Sequence, residues 1–334
     1  MATRTGIDHR PRTAVPSGLV HPGRDGYLPA MGDRWRDPSW LTGAHEWIDS
    51  ELARLGLRRT AGIEQPHVYP WSTVLRVPTE AGNVWFKANA ESMRHEAALV
   101  ELLSGRRPDC VPAPLATDPG RGWMLMADAG EQLRHLLPVE RDLDRWKDVL
   151  GLCAGVQLDL ADAVDTLLEL GVPDLRLATL PEKYERFVAE IDAEPRFRRA
   201  AGHVAELCDA LTGYGIPETI QHDDLHDGQV FVKDGRHLLM DWGDACVSHP
   251  FFTLSVTLEG VVAWGLDDIE NSVDTAPFRD AYLRQFAERY DADLVAATET
   301  ALRLGWVCRA VNGHVPGEDK ATQARLRMFL DGRP

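Results

Sequence analysis

The 334-residue sequence predicts an α+β fold in two lobes, a small antiparallel-sheet N-lobe followed by a larger, mainly helical C-lobe. Three observations predict it. The chain is longer than the ~250–300 residues at which a single hydrophobic core stops growing. Strand-like patterning is concentrated between Ile63 and Ala88, with one further apolar strand at Trp123–Ala127. Beyond residue 130 the apolar spacing is helical, broken by one hairpin signal. The expected divisions are a flexible arm over 1–36, an N-terminal nucleotide-binding lobe over 37–127 and a C-terminal catalytic and substrate-binding lobe over 128–334.

Each element follows from local pattern. Residues 1–36 mix Arg, Pro, Gly and Asp without periodicity. LTGAHEWIDSELARLGL then carries Ala44, Trp47, Ile48, Leu52 and Leu55 at helical spacing and ends near Gly56. IEQPHVY, STVLRVPT and VWFKA read as three antiparallel strands, with a turn at EAGN before the third. SMRHEAALVELLSG is an amphipathic helix with Met93, Ala97, Val100 and Leu103 on one face. WMLMA follows the Pro-rich segment PAPLATDPGRG as a buried strand. From Asp144 a helical run closes at Gly171 and Pro173, and two more helical stretches reach about Tyr214. QVFV and HLLMDW flank the turn KDGR, a hairpin, and the chain from FFTLSVTLEGVVAWGL onward returns to helix.

Composition narrows the function. A net charge of -16, from 52 acidic and 36 basic side chains, argues against a general nucleic-acid binder, which needs clustered Lys and Arg. The same charge either steers a cationic small molecule or simply keeps the surface soluble. Five dispersed cysteines without a C-x-x-C pair indicate neither a disulfide framework nor a zinc knuckle. With no apolar run of membrane-spanning length and no secretory h-region, the expected location is the cytoplasm, with no membrane partner.

The chemistry concentrates in HDDLHDGQ, residues 222–229. His222, Asp224 and His226 alternate, so an extended backbone would present all three to a metal, and a hydrolytic centre is one reading. A wider frame favours another. Asp224 is followed five residues later by the amide Gln229, and then by a hairpin that ends in Asp241-Trp242-Gly243. This is a phosphoryl-transfer layout, in which one Asp orients an acceptor hydroxyl while an amide and a second Asp hold magnesium. Such a site also needs a cation on the nucleotide phosphates and an acid to aim it. Lys87 in VWFKA and Glu96 in the next helix occur in the right order, although alone each reads as readily as a solvated residue.

With these residues, the chain resembles the aminoglycoside phosphotransferase family of small-molecule kinases, a branch of the protein-kinase-like fold, over roughly residues 60 to 310. The resemblance implies ATP and Mg2+ as cofactors. It implies that Asp224 positions the substrate hydroxyl, that Gln229 and Asp241 ligate magnesium, and that Lys87, aimed by Glu96, contacts the phosphates. Backbone groups from Met126 to Asp128 would meet adenine. Two departures stand out. Gln229 occupies the family's usual Asn position, offering the same carbonyl oxygen on a longer stem. No Gly-rich run joins the first two strands; the turn is Tyr69-Pro70-Trp71-Ser72, where Ser72 and nearby backbone would cap the phosphates and Trp71 either joins them or packs on a strand.

The expected acceptor is a small molecule with a hydroxyl group, an aminoglycoside or other antibiotic, or else a metabolic amino alcohol or sugar. Asp267, Asp268, Glu270 and Asp274 form an acidic loop that would suit a cationic acceptor. A nucleotide-binding pseudokinase is the alternative of a different class, motivated by Gln229 and the absent glycine loop. Asp223 and Asp227 read as local hydrogen-bonding residues, and Asp244 as a turn residue or a second carboxylate near the metal.

Overall fold

The computed structural model describes residues 33–317 and 319–332. Most of the predicted arm, 1–32, therefore lies outside the described residues. Its end does not: Asp33–Arg36 form a 3-10 turn and Trp35 is buried against the sheet. Helix α1 (Pro38–Arg54) starts on the Asp37 carboxylate, which accepts from the Ser39 and Trp40 N–H groups, with Pro38 at its first position.

Strands β1 (Glu64–Val68), β2 (Ser72–Thr79) and β3 (Gly82–Asn89) form the predicted meander. Helix α2 (Glu96–Arg106), β4 (Ala116–Asp118) and β5 (Trp123–Ala127) follow, completing a sheet in the order β1-β2-β3-β5-β4. β4 was not foreseen in the Pro-rich segment. It is three residues long and gains its pairing only from β5, a tertiary contact invisible to local pattern. Side chains alternate along β3, so that Phe86 packs with Trp47, Trp123 and the α1 face while Lys87 points to the opposite side. That alternation aims the lysine at the cleft.

A short β6 (Glu131–Gln132) leads into α3 (Leu133–Glu140), α4 (Arg145–Asp159), α5 (Val164–Glu169), α6 (Leu180–Glu190), α7 (Pro195–Arg199) and α8 (Ala201–Thr212). The single helical run expected from Asp144 is broken between α4 and α5, where the turn buries Leu160 and Ala163 in the main core. Strand β7 (Thr219–Gln221) pairs with β10 (Cys246–Ser248), and β8 (Val230–Lys233) with β9 (Arg236–Leu239) as the predicted hairpin. Helices α9 (Ala276–Ala287), α10 (Leu294–Asn312) and α11 (Asp319–Asp331) pack α9 on α4 and α11 on α10. No described helix is long and apolar enough to cross a membrane.

The segment after β10 departs from the expected regular helix. It is a 3-10 turn (Pro250–Phe252), a π-helix (Ser255–Val261) and another 3-10 turn (Val262–Trp264). Its side chains are buried almost all round, and its hydroxyls bond backbone carbonyls: Ser255 Oγ donates to Leu302 O at 2.7 Å and Thr257 Oγ1 to Leu225 O at 2.8 Å. π-helical turns often mark functional positions, and this one grips the residue after Asp224.

His249 joins β10 to that segment in a fully buried position, and desolvation pushes its imidazole down to about 3. The unfolded chain takes up that proton near pH 6.5, the folded chain only far lower, so folding is favoured above pH 6.5 and loses this contribution as pH falls. Replacing His249→Gln removes the titration while keeping an acceptor. Wild-type stability should therefore fall more steeply than the variant's between pH 6 and pH 4, by about 1.4 kcal/mol per pH unit, in urea melts. Parallel curves would mean that the histidine is protonated inside the fold.

Candidate active site

HDDLHDGQ is the loop from β7 to β8, buried beneath the sheet lobe. Asp223 lies in the left-handed region at φ 62°, a conformation uncommon outside Gly, Asn and Asp, and this turns the next residue toward the cleft. Burial holds the His222 imidazole neutral, down to about 4; its Nε2 donates to Met240 O at 2.9 Å and its ring lies 4.7 Å from that of Trp242. The loop is thus tied to the chain just before Asp241.

Around Asp224 the contacts are charged. Its Oδ1 is 2.8 Å from Arg309 Nη2, and its Oδ2 is 3.8 Å from His226 Nε2. His226 Nδ1 accepts from Gly228 N–H at 2.9 Å, so the ring proton belongs on Nε2, facing Asp224. Asp227 pairs with Arg134 Nη2 of α3 at 3.0 Å, a partner far along the chain rather than one in its own turn. Asp223 does more than support a turn: it is buried, takes a hydrogen bond from Asn312 Nδ2 at 2.8 Å and lies 3.5 Å from Arg309 Nη1. The hydrolytic triad does not assemble: the ligand atoms of His222, Asp224 and His226 do not all come within 4.8 Å of one another. Among the described residues, the three-ligand grouping is instead Asp223, Cys246 and Cys308.

The second half of the site joins the two lobes. Lys87 Nζ is 2.7 Å from Glu96 Oε2 and 2.6 Å from Asp241 Oδ1. Glu96 also accepts from Asn89 Nδ2 and, at 2.9 Å, from the Trp242 N–H, so one buried carboxylate links β3, α2 and the Asp241 loop. Burial would lower the Lys87 ammonium, but the Asp241 and Glu96 carboxylates override it and hold it above its ordinary value. Partial desolvation in the cleft pushes Asp241 up, and the Lys87 charge beside it brings it below the usual carboxylate range. Asp241 takes the left-handed conformation, φ 61°, with its side chain 46% exposed toward the cleft. The Gln229 backbone carbonyl accepts from Met240 N–H at 2.9 Å, which ties the chain at Gln229 to the residue before Asp241.

These groups line one cavity of about 640 Å³ between the lobes, together with Ser72, Met126, Asp128 and Trp71. All the predicted site residues therefore meet there: Ser72, Lys87, Glu96, Met126, Asp128, Asp224, Gln229 and Asp241. Ser72 opens β2 with its Oγ 3.4 Å from His67 Nε2. Trp71 stacks on Tyr69 at 5.1 Å, and Trp35 Nε1 donates to Tyr69 O at 2.7 Å, so an aromatic turn takes the place of a glycine loop. Asp128 is held by Gly130 N–H at 2.9 Å and Trp85 Nε1 at 3.0 Å, while its own carbonyl accepts from Lys233 Nζ at 2.6 Å. The acidic loop is a correction: none of Asp267, Asp268, Glu270 or Asp274 lines the cavity. Asp267 pairs with Arg141 at 2.9 Å, and Asp274 caps Ala276 N–H at 2.9 Å, so that charge is engaged at the surface.

A family model described as "Phosphotransferase enzyme family" matches residues 57–304, a span that includes the whole cavity. The chain belongs to this family. Among curated protein sequences none matches it. Solved structures share the protein-kinase-like fold of this phosphotransferase. The Plasmodium vivax ethanolamine kinase Pv091845 is 12% identical, with TM-score 0.57 over 81% of this chain and 83% of that one. The macrolide 2'-phosphotransferase MphH from Brachybacterium faecium is 18% identical, with TM-score 0.53 over 82% of this chain and 96% of that one. The GDP and kanamycin complex of APH(2")-IIia is 15% identical, with TM-score 0.55 over 86% of this chain and 98% of that one. At such identities the likeness concerns the fold. The family makes the protein a small-molecule kinase.

Two residues of the phosphotransferase site escaped sequence reasoning: Arg309 and Asn312, both from α10. The signal was there. In LGWVCRAVN, Arg309 interrupts an otherwise apolar stretch, a position that buries a charge only when carboxylates await it.

Proposed function

We propose that this phosphotransferase moves the γ-phosphate of ATP, bound with Mg2+, to a hydroxyl of a cationic small molecule, an aminoglycoside or related antibiotic, and so confers resistance to it. The observation that carries the reading is one cavity holding Asp224 on one wall and the Lys87–Glu96–Asp241 chain on another. Lys87 would lie on the nucleotide phosphates, aimed by Glu96, with Ser72 and the aromatic turn covering them and the 126–128 backbone against adenine. Asp224 would orient the acceptor hydroxyl and take its proton late, since a loose transition state asks for positioning more than for a strong base.

The donors suit magnesium. Asp241 directs a half-exposed carboxylate into the cavity, and the amide of Gln229, which lines the same cavity, would add a second hard oxygen. Bound there, Mg2+ would supply charge neutralisation at the β- and γ-phosphates. Support for a cationic acceptor comes from the same cavity, where Asp128, Glu131, Asp224, Asp241 and Asp244 outnumber Lys87 and Arg134.

A panel of aminoglycosides, macrolides, choline and ethanolamine, assayed for acceptor-dependent ADP release, tests this choice. We expect the highest kcat/KM with an aminoglycoside. Preference for an amino alcohol would overturn the antibiotic assignment while leaving phosphoryl transfer in place.

A further inference from the structure

Arg309 sits at the centre of a buried charge cluster that no part of the proposed transfer reaction yet uses. Its side chain has no exposure, and its guanidinium reaches Asp224 Oδ1 at 2.8 Å, Asp244 Oδ1 at 3.3 Å and Asp223 Oδ2 at 3.5 Å. Glycines in α10 and at its C-terminal cap make the approach possible. A Cβ at Gly305 would lie 2.0 Å from Ser255 Oγ and 2.8 Å from Phe252 O, so glycine there lets the helix press against the segment that holds the loop. A Cβ at Gly313 would lie 2.4 Å from Arg309 Nη1, in the space the guanidinium occupies. Asn312, one turn along the same helix, bonds both Asp223 Oδ2 at 2.8 Å and Asp244 O at 2.7 Å. One helix end therefore fixes both loops that bring carboxylates to the cavity.

We propose that Arg309 is a positioning residue of the transfer reaction: it pins Asp224 Oδ1 from behind, leaving Oδ2 on the His226 side, and keeps Asp224 in the carboxylate form that can accept a hydroxyl proton. This rests on Asp224 being the residue that orients the acceptor. The physical need is plain, because a carboxylate with 2% exposure, beside two others, ionises only with a cation close by. Burial pushes Asp224 above the ordinary range and Arg309 opposes that rise. The charged and titratable groups facing Asp224 are Arg309 of α10, Arg325 of α11, His226 of its own loop and Asp244 from the loop after β9, with Asp223 adjoining. A lysine could supply charge to one oxygen, but not the planar fork that spans three carboxylates.

The test compares wild type, Asp224→Asn, Arg309→Lys, Arg309→Met and the double variant Arg309→Met/Asp223→Asn, which lowers the uncompensated charge and so protects folding. With acceptor and ATP at saturation, kcat of Arg309→Met should fall about 100-fold, the scale of a displaced reacting group, while nucleotide affinity holds. Arg309→Lys should recover part of that loss, and the acid limb of its kcat–pH profile should move to higher pH. The double variant should fold and stay slow. Wild-type kcat and an unmoved acid limb in folded Arg309→Met, or full recovery of kcat in the double variant, would overturn the proposal. Failure of all three Arg309 variants to fold would also overturn it, by making the guanidinium a folding element. If wild type transfers phosphate and Asp224→Asn does not, a null result at Arg309 counts against this inference alone. A wild type that phosphorylates no acceptor removes the underlying reading and this inference with it.

Discussion

Asp224→Asn should lower phosphoryl-transfer turnover by about 10²–10⁴-fold, the range lost when a positioned acid–base group is removed, while nucleotide binding stays within a few-fold of wild type. The two effects separate because Asp224 and Lys87 occupy different walls of the cavity, and the Lys87–Glu96–Asp241 chain makes no contact through Asp224. The fold should survive, since Arg309 keeps Asp223 and Asp244. Parallel kcat and nucleotide titrations check this. Retained turnover would remove Asp224 from the chemistry, and lost nucleotide binding would mean that it shapes the nucleotide site. Turnover should also fall on acidification above the ordinary aspartate range, because burial raises the Asp224 carboxyl in spite of Arg309.

The second large effect belongs to Lys87. Lys87→Ala should abolish measurable nucleotide affinity and also destabilise the fold by about 3–5 kcal/mol, the cost of leaving a buried charge uncompensated. Glu96, with its side chain 1% exposed, cannot turn to water, whereas Asp241 can. Most of the loss should therefore travel through Glu96. Adding Glu96→Gln to Lys87→Ala should restore part of the stability without restoring nucleotide binding, so the two losses in denaturation midpoint should not add. Simple additivity in denaturant melts would contradict the coupling.

How much of this was legible in the sequence differs residue by residue. β2 and β3 were legible as strands from their apolar and β-branched residues and bounding turns, and the two-residue period of a strand then sets the neighbours Phe86 and Lys87 on opposite faces. The order of Lys87, Glu96, Asp224, Gln229 and Asp241 along the chain was enough to bring them to one cavity. β4 was not legible, because three residues acquire strand pairing only from a neighbour. The irregular segment from Pro250 to Trp264 looked like helix for the opposite reason: its apolar spacing is real, but burial on nearly every face and hydroxyls that bond distant carbonyls override the regular backbone. The acidic loop at 267–274 misled because charge density in a sequence does not say which cations, here Arg141, already stand beside it. Arg309 was hidden for the complementary reason, since its partners come from loops far earlier in the chain.

The most direct test of the account is phosphorus NMR of a complete reaction, with enzyme, ATP, Mg2+ and the acceptor that best stimulates ADP release. The account predicts that the γ-phosphate signal of ATP is replaced, one for one, by ADP and a phosphate monoester on an acceptor hydroxyl. Conversion of the γ-phosphate to inorganic phosphate alone, or an unchanged ATP spectrum across every acceptor, would contradict it.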